Sequence, residues 1–147
     1  MDLPSSAALP GVLELPSRHF LCFLAADFTR LSDGAIIKLA NSLVDAGASY
    51  FVCWGPDCER SHDLIDDLTL LVSPEAQDDS IIMTTWHAEE SLIEALFFLL
   101  CSAWPDRGYE DTTTCIVAVS VGGGDVAAEI RQSLADPETL IAKMAAS

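Results

Sequence analysis

The stretch FVCWGPDCERSH, residues 51–62, decides how the chain folds. A run of aromatic and β-branched residues ends at Trp54, a Gly-Pro turn follows, and the next residues carry leucine and isoleucine at helical spacing. We therefore predict a strand over Ser49–Trp54 and a helix from Pro56 to about Leu71, with proline at its first position. A strand that turns directly into a helix is the repeating unit of a parallel sheet.

The same alternation recurs along the chain. Apolar runs predict further strands at residues 19–26, 80–86 and 113–120, and helical patterns occupy residues 31–46, 88–103, 125–134 and a short segment from Pro137. The order βαβαβαβα predicts a three-layer α/β/α sandwich with about four parallel strands, Rossmann- or flavodoxin-like, because helices must cover both faces of such a sheet.

Three details of this architecture are also predictions. We expect the strand order 2-1-3-4, an extended N-terminal arm over residues 1–18, and a single α/β domain over residues 19–147. Residues 68–72 could form a short edge strand instead of the end of a helix.

Acidic residues dominate the charge of the chain, with 23 Asp and Glu against 7 Lys and Arg, which gives a formal net charge of −16. Such a surface repels nucleic acid and anionic membranes, and it attracts a basic protein, a metal ion or a cationic ligand. The sequence starts without the regions of a secretory signal, and its longest apolar stretch, residues 95–101, is too short to span a bilayer.

Five cysteines are present, and they lack the spacing of a disulfide framework. Cys22, Cys101 and Cys115 lie in apolar runs, where buried thiols are typical. We therefore expect a reduced, cytoplasmic protein.

Ligands of parallel α/β sheets bind outside the carboxyl ends of the strands. The four predicted strands end in polar, aromatic or glycine residues that we expect to share one ligand or partner edge: Asp27, Trp54, Asp57, Thr85, Trp86, His87, Ser120, Gly122, Gly123 and Gly124. The two tryptophans could stack on a flat ligand or anchor a protein partner. The glycines could hold an anion with free backbone amides or could permit an unusual turn, and Asp125 beside them opposes a phosphate.

The two cysteines of the opening stretch suggest redox, nucleophilic or metal chemistry. Four residues separate Cys53 from Cys58, which departs from the C-x-x-C spacing of the thioredoxin signature Trp-Cys-Gly-Pro-Cys. Cys58 in the first turn of a helix, with His62 one turn later, could be an activated nucleophile, and Asp57 and His87 are further catalytic candidates.

The same residues provide the candidate metal ligands, which are Cys53, Cys58, His62 and His87. Their spacing is not that of zinc knuckles or ribbons, so we expect no metal site. The structural interpretation, which we favour for Cys58 and His62, places Cys58 with Ile65 on the buried side of the helix and His62 at its margin.

A second dense cluster surrounds His87, with Glu89 and Glu90 immediately after it. A histidine beside two carboxylates could act in general acid–base catalysis. The favoured interpretation is again structural, with both glutamates in the first turn of a helix, where the dipole stabilises them, and His87 as a cap.

The predicted helix around residues 92–101 is apolar nearly all round. Its large side chains cannot all face one sheet, so part of the helix must contact another helix, the N-terminal arm or a second subunit. From this pattern we expect a homodimer that forms through this helix.

The pairing of W-G-P-D-C, residues 54–58, with T-T-W-H, residues 84–87, resembles small, uncharacterised Rossmann-like bacterial proteins of unknown function over residues 19–134. The resemblance implies no activity and no catalytic residue.

We expect a non-enzymatic acidic interaction or regulatory module that has no cofactor and binds another protein. The alternatives are a small-ligand or nucleotide-like binder and an enzyme that uses Cys58, His62 or His87 at the carboxyl edge of the sheet. The interaction module predicts packed Trp54 and Trp86 and no deep pocket at that edge. Both alternatives predict an open cleft there, faced by His87 and Asp57.

Overall fold

The computed structural model describes residues 1–3, 15–72 and 81–146, and these form alternating β and α elements. The elements are β1 (Asp2–Leu3), β2 (His19–Ala25), α1 (Asp33–Ala46), β3 (Ala48–Trp54), α2 (Cys58–Val72), β4 (Met83–His87), α3 (Leu92–Cys101), β5 (Thr113–Val121), α4 (Gly124–Ala135) and α5 (Pro137–Ala145), with 3-10 helices at Phe28–Arg30 and Arg107–Tyr109. The five strands are parallel and lie in the order β1-β5-β2-β3-β4. The predicted α/β fold is therefore confirmed.

Right-handed crossovers explain which face of the sheet each connecting helix covers. The chain steps from β2 to β3 to β4 through α1 and α2 on one face of the sheet, and it then returns through α3 on the other face to place β5 beside β2. The predicted order 2-1-3-4 is wrong, because the first predicted strand has the second and the fourth as its neighbours. The fifth strand, β1, comes from the predicted N-terminal arm, most of which (residues 4–14) lies outside the described residues.

Alternate residues of the central strands build two separate apolar cores. Phe20 and Leu24 face α1 and α2, in a core that also contains Phe51 of β3. Phe23 and Val52 face the opposite way, against α3, α4 and α5. This alternation follows from the two-residue period of a strand, and it makes β2 and β3 apolar on both faces.

The structure corrects the boundaries of two helices. The first is α2, which begins at Cys58 rather than at Pro56, because Asp57 has a positive φ of 63°. It continues through residues 68–72, so the alternative of an edge strand there is wrong.

The second corrected helix is α3, which begins at Leu92. A capping box precedes it, in which the Ser91 hydroxyl accepts from the Glu94 amide and the Glu94 carboxylate accepts from the Ser91 amide. Glu89 and Glu90 therefore precede the helix, and the prediction that its first turn contains them is wrong.

Helices of the same chain cover part of the apolar surface of α3. Leu96 and Leu99 are buried against the sheet, and Ile130 of α4 and Leu140 of α5 belong to the same apolar core. This packing accounts for much of the pattern that suggested a dimer, and the homodimer through residues 92–101 stays a prediction.

One glycine lies immediately before β3 and another immediately after it. Each is in close contact with the backbone of a residue next to an end of β2. Gly47 has a φ of 114°, and a Cβ there would lie 2.2 Å from the carbonyl oxygen of Arg18. Gly55 has a φ of 120°, and its Cβ would lie 1.9 Å from the carbonyl oxygen of Ala26. Both positions need glycine for conformation and for space.

We expect the substitution Gly55→Ala to destabilise the protein by about 3 kcal/mol or more, since it adds a steric clash with backbone to a strained φ. The matched control is Gly34→Ala in α1, where the added Cβ meets only the Ser32 hydroxyl at 4.0 Å. Alanine at this helical position should be neutral or stabilising by up to about 1 kcal/mol. Urea unfolding of both variants measures the difference, and equal stabilities would contradict this account of the turn.

Candidate functional site

A crevice opens at the carboxyl edge of the sheet, between the ends of β2 and β5. The chain leaves β2 towards one face and β5 towards the other, so this is the topological switch point where α/β sheets bind ligands. The crevice has a volume of about 330 Å³. We call it the switch-point crevice, and its lining residues are Ala25, Ala26, Asp27, Arg30, Leu31, Trp54, Pro56, Ser120, Val121, Gly122, Gly123 and Val126.

One wall of the crevice is aromatic. Trp54 ends β3 half-buried, and its indole Nε1 donates a hydrogen bond to the carbonyl oxygen of Glu90 at 2.9 Å. Pro56 lies in the turn that follows, where its carbonyl oxygen accepts from the amide of Phe28 at 2.9 Å. The indole is therefore held in one orientation, and the wall offers a flat apolar surface.

The opposite wall is a run of glycines between β5 and α4. Gly122, Gly123 and Gly124 all have positive φ, at 98°, 64° and 76°, and a Cβ on any of them would meet nothing within 4 Å. The space beside this backbone is therefore open, and the need for glycine comes from conformation.

The amides at the start of α4 are free within the described part of the chain. The amide of Gly122 donates to the carbonyl oxygen of Leu3 at 2.9 Å, whereas those of Gly123 and Gly124 have no partner among the described residues. No side chain caps α4 at Gly123. Unpaired amides at a helix N-terminus attract a negatively charged group.

Two charged side chains line the crevice. The Asp27 carboxylate caps the first 3-10 helix by accepting from the amide of Thr29 at 3.1 Å. Arg30 is exposed and forms no ion pair with a described residue. The Ser120 hydroxyl is buried and donates to Asp2 at 2.6 Å, so its proton is already engaged.

The structure brings together half of the predicted edge. Asp27, Trp54, Ser120, Gly122 and Gly123 line the crevice, and Gly124 begins α4 just beyond it. The other predicted residues, which are Asp57, Thr85, Trp86 and His87, lie outside its lining. The sequence analysis did not predict seven further lining residues. Ala25, Ala26, Pro56 and Val121 lie at or next to strand ends, which is a signal in the sequence, whereas Arg30, Leu31 and Val126 reach the crevice only through the packing of the sheet.

His87 is the centre of a buried hydrogen-bonded chain. Its side chain is 4 % exposed, its Nε2 lies 3.0 Å from the Thr85 hydroxyl, and its Nδ1 lies 2.7 Å from the Glu90 carboxylate. The ring of Phe98 covers it at 4.6 Å between centroids. His87 is the last residue of β4 and not a helix cap, which corrects the structural interpretation, and its burial leaves no room for a substrate at the ring.

Cys58 and His62 occupy the positions that the structural interpretation assigns to them. Cys58 is fully buried beside Ile65, and burial raises the pKa of its thiol. His62 lies at the surface margin, where its ring contacts Trp86 at 4.4 Å between centroids and its Nδ1 lies 3.0 Å from the Asp63 carboxylate. A raised thiol pKa lowers the thiolate fraction, so this pair is poorly suited to nucleophilic catalysis.

The four candidate metal ligands do not converge. Cys53 is buried in the core under α1 and α2, whereas the His87 ring lies on the opposite face of the sheet against α3. Burial raises the pKa of Cys53 to about 12, which disfavours the thiolate that a metal requires. Among the described residues, no group of three His, Cys, Asp or Glu side chains could hold a metal ion.

Comparison with known proteins gives a family without an assigned activity. A family model described as a domain of unknown function, DUF7684, matches residues 1–137. No curated protein and no solved structure matches the chain. Within the described ranges, no helix has the length and apolar character needed to cross a membrane.

Thiol labelling should separate the cysteines sharply. Cys101 is exposed, contrary to the prediction that it is buried, whereas burial protects Cys22, Cys53 and Cys58 and raises the pKa of all three. We expect iodoacetamide to modify Cys101 first at neutral pH and to reach Cys22, Cys53 and Cys58 only on unfolding. Peptide mass spectrometry after timed labelling measures this order. Rapid native labelling of Cys58 would contradict it.

We expect His87→Leu to destabilise the protein by about 2 kcal/mol, because it removes two hydrogen bonds of a buried ring and leaves Thr85 without that partner. The control His62→Leu changes a histidine at the surface margin and should cost less than about 1 kcal/mol. Urea unfolding compares the two variants. Equal losses would show that the buried chain does not stabilise the loop after β4.

Proposed function

The chain belongs to the DUF7684 family, a domain of unknown function, and we propose that it binds a small ligand in the switch-point crevice. The proposal rests on one observation. At the topological switch point, the indole of Trp54 lies on one side of the crevice, and a glycine run with unpaired backbone amides lies on the other. Binding sites of this kind are concave and mostly apolar, with a few polar groups that fix orientation.

The two walls indicate the chemistry of the ligand. A flat apolar body would lie against Trp54, and an anionic end would meet the amides at the start of α4 and the guanidinium of Arg30. The net charge of −16 disfavours a ligand with several negative charges. A volume of about 330 Å³ is near the lower end of ligand pockets, so a nucleoside monophosphate is about the largest fit.

The lining of the crevice supports binding rather than catalysis. Asp27 and Arg30 are its only titratable side chains in the described part of the chain, and the Asp27 carboxylate already caps a helix. The four side chains that the sequence offers as catalytic candidates, namely Asp57, Cys58, His62 and His87, lie outside it.

The crevice also bears on the interaction module expected from the sequence. That module predicts a packed Trp54 and no deep pocket at the carboxyl edge, whereas a crevice of about 330 Å³ opens there and Trp54 lines it. The open crevice at this edge supports the small-ligand alternative, whereas His87 and Asp57, which that alternative expects to face the cleft, lie outside its lining.

Titration with anilinonaphthalenesulfonate, a flat apolar molecule with one negative charge, tests the proposal. We expect its fluorescence to rise on binding and the amide resonances of Gly122, Gly123 and Gly124 to shift in NMR spectra. Arg30→Gln should weaken binding about tenfold, as expected when a hydrogen bond to a charged group is lost. Adenosine monophosphate, tested in the same way, shows whether the crevice accepts a nucleotide.

The matched control is Arg107→Gln, which removes an exposed arginine from the other 3-10 helix without touching the crevice. It should leave the dissociation constant unchanged. Equal weakening by both arginine variants, or unshifted glycine amides with both probes, would overturn the proposal.

A further inference from the structure

Strand β4 forms one edge of the sheet, and its outer side has no strand partner in the described ranges. Natural proteins protect such edges with lysine, proline or a covering element. The sequence of β4, MTTWH at residues 83–87, contains neither lysine nor proline. Its outer backbone groups are therefore suited to pairing with another extended chain.

Large apolar side chains are exposed along this edge. Ile81, just before β4, is 52 % exposed, and Met83 and Trp86 within it are 41 % and 44 % exposed. The Trp86 ring is supported from below by His62 of α2, whose ring lies 4.4 Å away between centroids. A supported, half-exposed tryptophan is a typical anchor for a protein partner.

Carboxylates surround the same edge. Asp63 and Asp66 of α2 are solvent-accessible and flank the His62 ring, at 3.0 Å and 3.4 Å from its two nitrogens. Asp66 also accepts from the Thr84 hydroxyl at 2.6 Å, which fixes this carboxylate beside β4. Beyond the strand, Glu89 and Glu90 are exposed.

The nearest basic residue of α2 does not neutralise this charge. Arg60 is committed to Asp57, at 2.6 Å, and to Asp33 on the side of α1. Acidic groups at both ends of an apolar edge complement a segment with lysine or arginine side chains.

We propose that the outer edge of β4 binds an extended basic segment of a partner protein by strand addition. Backbone hydrogen bonds to β4 would provide affinity. On one face of the sheet, apolar side chains of the segment would pack on Met83, and on the α2 face its basic side chains would lie over the Trp86 ring and meet Asp63 and Asp66, with Glu89 beyond the strand. This surface lies on the strand farthest from β5, so the inference does not depend on a ligand in the switch-point crevice.

Charge selects a basic partner over a second copy of the chain. Two copies that paired through β4 would bring the carboxylates of α2 and of the segment after β4 close together, with a net charge of −16 on each chain. Like charges across an interface cost free energy, and pairs within about 8 Å are incompletely screened at physiological ionic strength.

A labelled seven-residue peptide that alternates lysine and valine tests this inference by fluorescence anisotropy. We expect it to bind the full chain, more weakly as sodium chloride is added, and to bind Trp86→Ala at least tenfold more weakly. The matched control is Trp104→Ala, which removes a tryptophan that is 71 % exposed outside β4 and should leave binding unchanged. A second probe is the same peptide with an N-methyl group on alternate backbone nitrogens, which cannot pair as a strand and should bind at least tenfold more weakly.

The results distinguish strand addition from nonspecific attraction and from self-association. Equal binding of the methylated and parent peptides, or equal weakening by the two tryptophan variants, would show nonspecific attraction to an acidic surface and overturn the proposal. A dimer of the chain alone that Trp86→Ala dissociates in sedimentation would assign the edge to a second copy and also overturn it. Because Trp86 does not line the crevice, Trp86→Ala should retain anilinonaphthalenesulfonate binding, which keeps the two proposals separable.

Discussion

The handedness of the crossovers is the constraint on which the rest of the structure depends. Because each connection between parallel strands turns to the right, the chain can advance from β2 to β4 only with its helices on one face, and it can return to β5 only with α3 on the other. The segments that leave β2 and β5 therefore diverge, and the gap between them is the crevice. In the predicted strand order, the switch point would lie between a different pair of strands, and the crevice would lie there with it.

The sequence identifies the elements of this fold well, because the apolar runs and their turns are strong local signals. It does not identify their order, since the apolar strands look alike and pairing is decided by packing across the whole sheet. The edge residues Asp27, Trp54 and Ser120 follow from strand ends alone. Arg30 and Val126 do not, because they reach the crevice only once β5 lies beside β2.

The environment of His87 also depends on packing that the local sequence does not indicate. Its type and its acidic neighbours suggest catalysis, but α3 begins four residues later than predicted and its Phe98 covers the imidazole. Glu90 then lies in the connecting loop, where its carboxylate binds His87 and its carbonyl binds Trp54. His87 and Glu90 thus hold Trp54, which forms the aromatic wall of the crevice, and no local pattern in the sequence indicates this contact.

The two glycines that flank β3 also limit how the fold can vary. Gly47 and Gly55 sit at the two ends of β3 and abut the carbonyls of Arg18 and Ala26, which sit at the two ends of β2. A slip of one strand past the other would press a side chain against a carbonyl oxygen at both ends, so the pair has a single allowed alignment. An insertion or deletion inside either strand would break this match, and the two strands can therefore change length only together.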